Sequence, residues 1–598
     1  MNSAPWRIGV DIGGTFTDLV MLDSRDGRIF NGKILTTPHA PEEAVLEGVR
    51  DLLARTGARA DEVRHVIHGT TLVANALIER RGVPTGLITT KGFRDILEIG
   101  TELRHDTYDL FMRVPEPLVP RHRRLGVAER LLPDGSVREA LDEASAREAA
   151  RALRDAGAKA VAVCFLHAFR NPAHEARMLE ILAEEAPDLT VCLSSEVVPE
   201  IGEYERASTT VCNAYVQPVF ERYLRRLSDG LRGFGLTGPL FLMLSDGGTV
   251  AEETAARHPI RLVQSGPAGG VEATGIYGAA AGARDILCFD MGGTTAKAAL
   301  IDDGEAQRSL DFEVARVDRF RKGSGLPLKV PVIDMIEIGA GGGSIARVDP
   351  ASGLMKVGPR SAGAKPGPIC YGRGGVEPTV TDSDLVLGRL DPAYFLGGEM
   401  ALDLAAVTRA VSGDLSAKLA VSADDAALGI RRIVDETMAA ATRMHMAEKG
   451  RDPRRFTLIA FGGAGPVHAC DLARLLKIRR VLVPLGAGVA SALGFLVAPP
   501  ATDLVRSLVG RLERLDWAKI ASLYAEMVEE ARGLLIGAGA DPDKIIYKPA
   551  ADMRYVGQGF EIPVPMPNLT PGKNDVAAIE ANFLAAYRER FGRALDGL

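Results

Sequence analysis

The chain writes one short glycine turn twice. Val10-Asp11-Ile12-Gly13-Gly14-Thr15 and Phe289-Asp290-Met291-Gly292-Gly293-Thr294 are near copies, each set between two apolar runs. The runs that follow are Leu19-Val20-Met21-Leu22-Asp23 and Ala298-Ala299-Leu300-Ile301-Asp302. Strand, turn, strand is thus drawn in duplicate, with an acid ending the first strand and a hydroxyl in the turn. Paired glycines let the backbone approach an anion closely. Successive N–H groups and the threonine hydroxyl can donate to phosphate oxygens. The acid suits Mg2+, which binds through one or two carboxylates together with phosphates. One copy alone reads equally well as an ordinary hairpin. Two copies with matched flanks point to a nucleotide-binding chain of two like halves.

At 598 residues the chain exceeds a single core. Three units are expected: 1–205, 206–502 and 503–598. Charged residues are 25% of the chain and the net charge is −7, which argues against a broad nucleic-acid surface. No run reaches the roughly 18 apolar residues that would span a bilayer. The start lacks the apolar stretch of a signal peptide, so a cytoplasmic protein is expected. The six cysteines are scattered with no Cys-x-x-Cys pair, which reads as reduced thiols.

Between residues 84 and 200, apolar strands (85–89 and 160–165) alternate with an Ala/Arg/Glu-rich helix at 143–156, the signal of an α/β layer. A long helix is expected from Arg206 to Leu231, interrupted near Pro218. Residues 305–400 read as a Gly- and Pro-rich, loop-like insertion. Helix resumes at 404–450, and the tail holds an amphipathic helix (515–535) and strand pieces near Tyr555 and Ile562. A third glycine site, Phe461-Gly462-Gly463-Ala464-Gly465-Pro466-Val467-His468, follows an apolar strand and opens a helix, a plausible nucleoside or phosphate pocket. Small-residue helices lie at 265–280 and 486–494.

This order of parts resembles the ATPase core of acetate kinase, sugar kinases, heat-shock chaperones and actin. The resemblance implies two ribonuclease-H-like halves closing on Mg-ATP, with the small-residue helices crossing at the hinge. More specific words are RIGVDIGGTFTDLV, HGTTLVANALIERRG, SGPAGGV, DMGGTTAK, IGAGGGSIA, CYGRGGVEPTVTDSDLVLGRL and FGGAGPVHA. Together they resemble the hydantoinase A / 5-oxoprolinase family. That likeness implies an ATP-dependent hydrolase that opens cyclic amides, or the ATP-binding subunit of an acetone or acetophenone carboxylase. It also implies a B-type partner subunit and a fuller C-terminal module than the partial α+β unit at 503–598. A non-metabolic actin-like switch is the remaining alternative.

On this reading Asp11 and Asp290 orient Mg2+ and the attacking group. Gly13, Gly14, Thr15, Gly292, Gly293 and Thr294 cradle phosphates, and Gly462, Gly463 and Gly465 border the nucleoside. Lys297 stands where the first repeat has Asp18; it reads as a phosphate partner or as a solvated strand-end lysine. Asp382 reads as a general base or metal-supporting acid, or as a helix cap. Residues 339–344 read as an anion loop or a plain turn. His68 and His468 read as structural, and Asp334 and Glu337 alternate on a strand whose buried face one sequence does not reveal.

Overall fold

In the computed structural model of the chain, residues 4–595 are described, apart from positions 15, 38, 319 and 320 and the side chain of residue 414. Two sheets carry the same strand order. In the first, Trp6–Ile12 pairs antiparallel with Phe16–Asp23, and that strand antiparallel with Ile29–Leu35. On its other side Trp6–Ile12 runs parallel to Val63–Thr70, which runs parallel to Leu240–Met243. In the second sheet Ile286–Met291 takes the first place. Ala296–Asp302 and Glu305–Ala306 follow it antiparallel, while Thr457–Phe461 and Arg480–Leu482 follow parallel on the other side. Across both sheets the order is third, second, first, fourth, fifth. The strands are apolar because both faces are covered: Ile8, Val10, Leu19, Leu287, Phe289 and Leu300 are all buried. The architecture is mixed α/β.

The first sheet draws on both sides of the expected boundary at 205/206, since the neighbour of its fourth strand, Leu240–Met243, comes from beyond it. A parallel partner needs a long crossover, and nothing local announces one. Here the crossover holds a separate parallel sheet, ordered Thr190–Leu193, Ala160–Cys164, Thr85–Thr90 and Arg124–Val127, with its own core around Ile88, Leu153 and Phe165.

The long helix is not interrupted. It runs from Glu203 to Gly233 with Pro218 inside, and burial of Phe220, Leu224 and Leu227 outweighs the hydrogen bond the proline forgoes. The 305–400 region is also more regular than expected. It contains the hairpins Arg308–Val314/Leu326–Ile333 and Ser344–Val348/Met355–Ser361, then the short helix Val380–Val386. Leu326, Leu328, Val330 and Val332 alternate inward, a period-two signal hidden by Pro327 and Pro331. Prolines are tolerated there because the ribbon is two-stranded and all edge.

The two small-residue helices, Ser265–Ala280 and Ala490–Val497, pack against each other. A Cβ on Gly494 would stand 1.7 Å from the Gly269 carbonyl oxygen, so only glycine permits this approach. The tail forms the helix Trp517–Gly537, then the hairpin Ala550–Met553/Ile562–Pro565 and the helix Val576–Phe591, the last two packed around a small core of Tyr555, Val564 and Phe583. Among the described residues, no helix is long and apolar enough to cross a membrane.

Candidate functional site

Both glycine hairpins end their first strand in the same way. Asp11 and Asp290 are each second to last in the strand. Pairing places Asp11 opposite Asp18 and Asp290 opposite Lys297. One strand further out, Asp18 stands opposite Lys33 and Lys297 opposite Glu337. Two equivalent rows result, Asp11-Asp18-Lys33 and Asp290-Lys297-Glu337. The Lys33 ammonium donates to Asp18 Oδ1 at 2.5 Å. Lys297 is held more loosely, 3.9 Å from Glu337 and 3.3 Å from the Thr295 hydroxyl.

These rows share one electrostatic field. Burial pushes the Asp11 carboxyl up to about 7; the charges of Asp18 and Asp290 add to the rise, while Lys297 and Lys33 oppose it. Burial likewise raises Asp290, with Lys297 pulling down and Asp18 pushing up. Groups of each hairpin thus act on the acid of the other, so the two acids lie within electrostatic reach of each other. Glycines press against both acids. A Cβ on Gly266 would come 2.9 Å from Asp11 Oδ1, and one on Gly462 would come 2.3 Å from Asp290 Oδ1. Gly462 also has φ +82, a second reason for glycine there.

Asp11 Oδ1 is buried without a hydrogen-bond partner. Such an oxygen is costly to leave unsatisfied, and a hard cation satisfies it. Among the described residues no group of three or more His, Cys, Asp or Glu could hold a metal. A cation at Asp11 would therefore draw other ligands from phosphate and water, the usual arrangement for Mg2+.

The turn glycines divide into two kinds. Gly13 N–H donates to Phe16 O at 2.9 Å and Gly292 N–H to Thr295 O at 3.0 Å. Those two amides hold the turn, which corrects the expectation that they face an anion. Among the described residues, none accepts from the backbone N–H of Gly14, Gly293 or Thr294, and all three residues are exposed. Thr15 lies outside the described residues. At the third turn Gly463 is exposed, whereas Gly465 is buried, where an added Cβ would lie 3.4 Å from the Met291 nitrogen. Gly465 packs against Phe289 and Met291, on the strand that leads into the second hairpin.

Asp382 is a correction of another kind. Its carboxylate is fully buried and accepts from Ile369 N–H, Cys370 N–H, Thr379 N–H and the Thr379 hydroxyl. Three of these donors fall on Oδ2 and one on Oδ1, and the acid closes the capping box of the helix Val380–Val386 out of contact with solvent, which favours the cap over the base. The loop at 339–344 packs on the second hairpin: Gly342 N–H donates to Gly292 O and Gly343 N–H to Gly293 O, at 3.0 and 2.7 Å. Asp334 pairs with Lys449, away from the acid rows, while Glu337 ends the second row.

His68 is buried, with Nδ1 donating to Val10 O at 3.1 Å and Nε2 accepting from the Tyr223 hydroxyl at 2.6 Å. Burial pulls it down to about 4, so it is a neutral core group. His468 is buried as well, but between carboxylates: Asp435 at 2.6 Å and Asp384 at 3.1 Å. Lys33 carries no signal of its own in the sequence, and Gly266 reads there only as part of a small-residue helix. Lys33 lies on the third strand and Gly266 on a helix far along the chain, and only strand order brings them to Asp11.

The fold is mixed α/β, and it carries two acid-ended glycine hairpins of the same register. Residues 7–186 match the hydantoinase/oxoprolinase N-terminal region, and residues 206–504 match hydantoinase/oxoprolinase. The chain belongs to the hydantoinase/oxoprolinase family. It is 36% identical to caprolactamase subunit alpha of Pseudomonas jessenii over 99% of this chain and 85% of that one. The crystal structure of the ATP-dependent caprolactamase from that organism superposes with a TM-score of 0.84, at 35% identity, covering 98% of this chain and 84% of the other. Nucleotide-free acetone carboxylase gives a TM-score of 0.80 at 29% identity, covering 98% and 85%. The 5-oxoprolinase of Saccharomyces cerevisiae is 31% identical over the whole chain, which spans 48% of its length.

Proposed function

We propose that this chain is the nucleotide-using subunit of an ATP-dependent amidohydrolase that opens a cyclic amide: a hydantoin, 5-oxoproline or a lactam. The observation that carries this reading is the pair of equivalent rows headed by Asp11 and Asp290, whose charges act on one another. The shared strand order supports reading the two sheets as ribonuclease-H-like halves about a nucleotide cleft. The free amides of Gly14, Gly293 and Thr294 would receive phosphate oxygens, Lys297 would neutralise charge on them, and Gly462 and Gly463 would border the nucleoside. Mg2+ at Asp11, when bound, would supply charge neutralisation between phosphate oxygens.

An amide carbonyl is a poor electrophile because the nitrogen lone pair feeds it. Attack of its oxygen on the γ-phosphorus would release ADP and fix that lone pair in a C=N bond. Water adding to carbon would then expel the ring nitrogen, leaving an acyl phosphate. A second water would release phosphate and the open-chain carboxylate. In sum, cyclic amide, ATP and two waters give the open-chain carboxylic acid, ADP and phosphate. The residues named here would position and neutralise, which is most of what phosphoryl transfer asks of a protein.

A B-type partner is part of this reading. Its support is the alpha-subunit name of the caprolactamase relative and the doubled length of the yeast 5-oxoprolinase. The likeness to acetone carboxylase favours a second reading, an ATP-binding subunit of a ketone carboxylase. The test is ATP turnover by the chain with the protein from its neighbouring reading frame. Turnover stimulated by hydantoins, 5-oxoproline or lactams supports the amidohydrolase. Turnover that needs bicarbonate with acetone or acetophenone, and ignores amides, replaces it with the carboxylase.

A further inference from the structure

His468 sits in a charged pocket that the mechanism above does not use. Its Nδ1 donates to Asp435 and its Nε2 to Asp384. Arg431, also buried, donates to Asp384 at 2.6 Å, to Asp471 at 2.9 Å and to the Val467 carbonyl at 2.7 Å. Three helices meet there: Val380–Val386 brings Asp384, Ala423–Glu448 brings Arg431 and Asp435, and Gly465–Leu476 brings His468 and Asp471.

The contacts close a ring. From His468 the chain leads back four residues to Ala464 in the third glycine turn, whose N–H donates to Met291 O at 2.8 Å, at the root of the second hairpin. From Asp384 it leads back to Thr381, whose N–H and hydroxyl both donate to Gly342 O, at 2.7 and 2.9 Å. Gly342 and Gly343 then donate to Gly292 and Gly293 on the far side of the same hairpin. A Cβ on Gly342 would stand 2.6 Å from the Thr381 hydroxyl, so this link has no slack. The second hairpin is thus gripped from two sides, and His468 with Arg431 joins the grips.

We infer that His468 is a positioning residue which, with Arg431, ties the third glycine turn to the second hairpin and so sets nucleotide affinity. The inference rests on the nucleotide reading above and adds its regulation. Burial pulls the imidazole down, but the hydrogen bonds and charges of Asp384 and Asp435 more than offset this and lift it to about 9. Arg431 pairs with both of these carboxylates, and Asp471, itself paired with Arg431 and Arg474, lies beyond it. The protonated form donates from both nitrogens; the neutral form has one N–H and must release one carboxylate. Affinity should therefore weaken as pH rises through about 9.

The test uses the full chain, wild type and as His468→Gln, Thr381→Val and the double variant. Two readouts are taken: hydrogen exchange of peptides covering 289–295 and 339–346, and Mg-ATP affinity between pH 6.5 and 9.5. Either substitution should speed exchange in both peptides and weaken binding roughly tenfold, with the double variant little worse than one alone, the sign of a shared network. Wild-type affinity should fall toward the His468→Gln value as pH passes 9. Unchanged exchange and affinity in a destabilised His468→Gln protein would overturn the inference, as would fully additive effects. Thr381→Val carries the test should His468→Gln fail to fold. A wild type that binds no nucleotide would refute the nucleotide reading, while exchange still decides whether the ring is coupled.

Discussion

Asp18 and Lys297 occupy the same register position in the two hairpins, each opposite its strand-end aspartate, and carry opposite charge. The lips are therefore alike in backbone and unlike in field. On the first, Lys33 is drawn onto Asp18 at 2.5 Å. On the second, Lys297 is only loosely engaged by Glu337, and its charge pulls the Asp290 carboxyl down. Lys297→Gln should raise the KM for ATP by about tenfold, the scale of one charge-assisted hydrogen bond, with little change in melting temperature. Steady-state kinetics and a thermal melt separate the two effects. An unchanged KM would make Lys297 a plain strand-end residue.

Asp11 is held at about 7 against an ordinary value of 3.8, so the folded chain binds its proton more tightly than the unfolded chain does. Its contribution to stability falls as pH rises from about 4 to 7, the reverse of a salt-bridged carboxylate. Asp11→Asn should melt a few degrees higher than wild type at pH 8 and lose most of that advantage near pH 4. The same variant should lower ATP turnover at least about a hundredfold, because an amide holds a cation poorly. Asp290→Asn should act in the same direction. Stability and activity falling together would mean that the acid is merely structural.

His468 gives the opposite slope. Its value is about 9 in the fold and 6.5 in the open chain. The stability it confers is full below about pH 6.5 and is lost as pH rises through about 9. The melting-temperature gap between wild type and His468→Gln should be widest below pH 6.5 and narrow toward pH 9.5. A gap independent of pH would mean that packing alone, and not charge, is at stake.

The crossing helices make a steric prediction. Gly494→Ala pushes a methyl into the Gly269 carbonyl and should destabilise by about 1–3 kcal/mol, as overpacking does. Gly533, inside the helix Trp517–Gly537, has no atom within 4 Å of an added Cβ. Gly533→Ala should stabilise by up to about 1 kcal/mol through helix propensity. Denaturant unfolding of both variants checks the contrast.

What could be read from sequence follows from the range of the signals. The hairpins were legible because acid, glycines and flanking apolar runs lie within a dozen residues, and strand pairing then follows from the turn. The first sheet's outer strands were not, since Leu240–Met243 finds its place only beside Val63–Thr70, across a whole inserted domain. Asp382 and His468 show the same limit from two sides. A buried acid in the first turn of a short helix reads alike as base or cap until its four donors are seen. The partners of His468 lie 33 and 84 residues back along the chain, and no local pattern joins them. The free amide of Gly14 and the occupied amide of Gly13 differ only by one hydrogen bond across the turn, a distinction that composition cannot carry.

The central claim is that the two hairpins grip a single nucleotide. A crystal structure of the chain with Mg2+ and a non-hydrolysable ATP analogue tests it most directly. The account predicts phosphate oxygens on the amides of Gly14, Gly293 and Thr294, the metal against Asp11, and Lys297 turned from Glu337 toward phosphate. An analogue bound to one hairpin alone, with Asp290 left outside its reach, would contradict it.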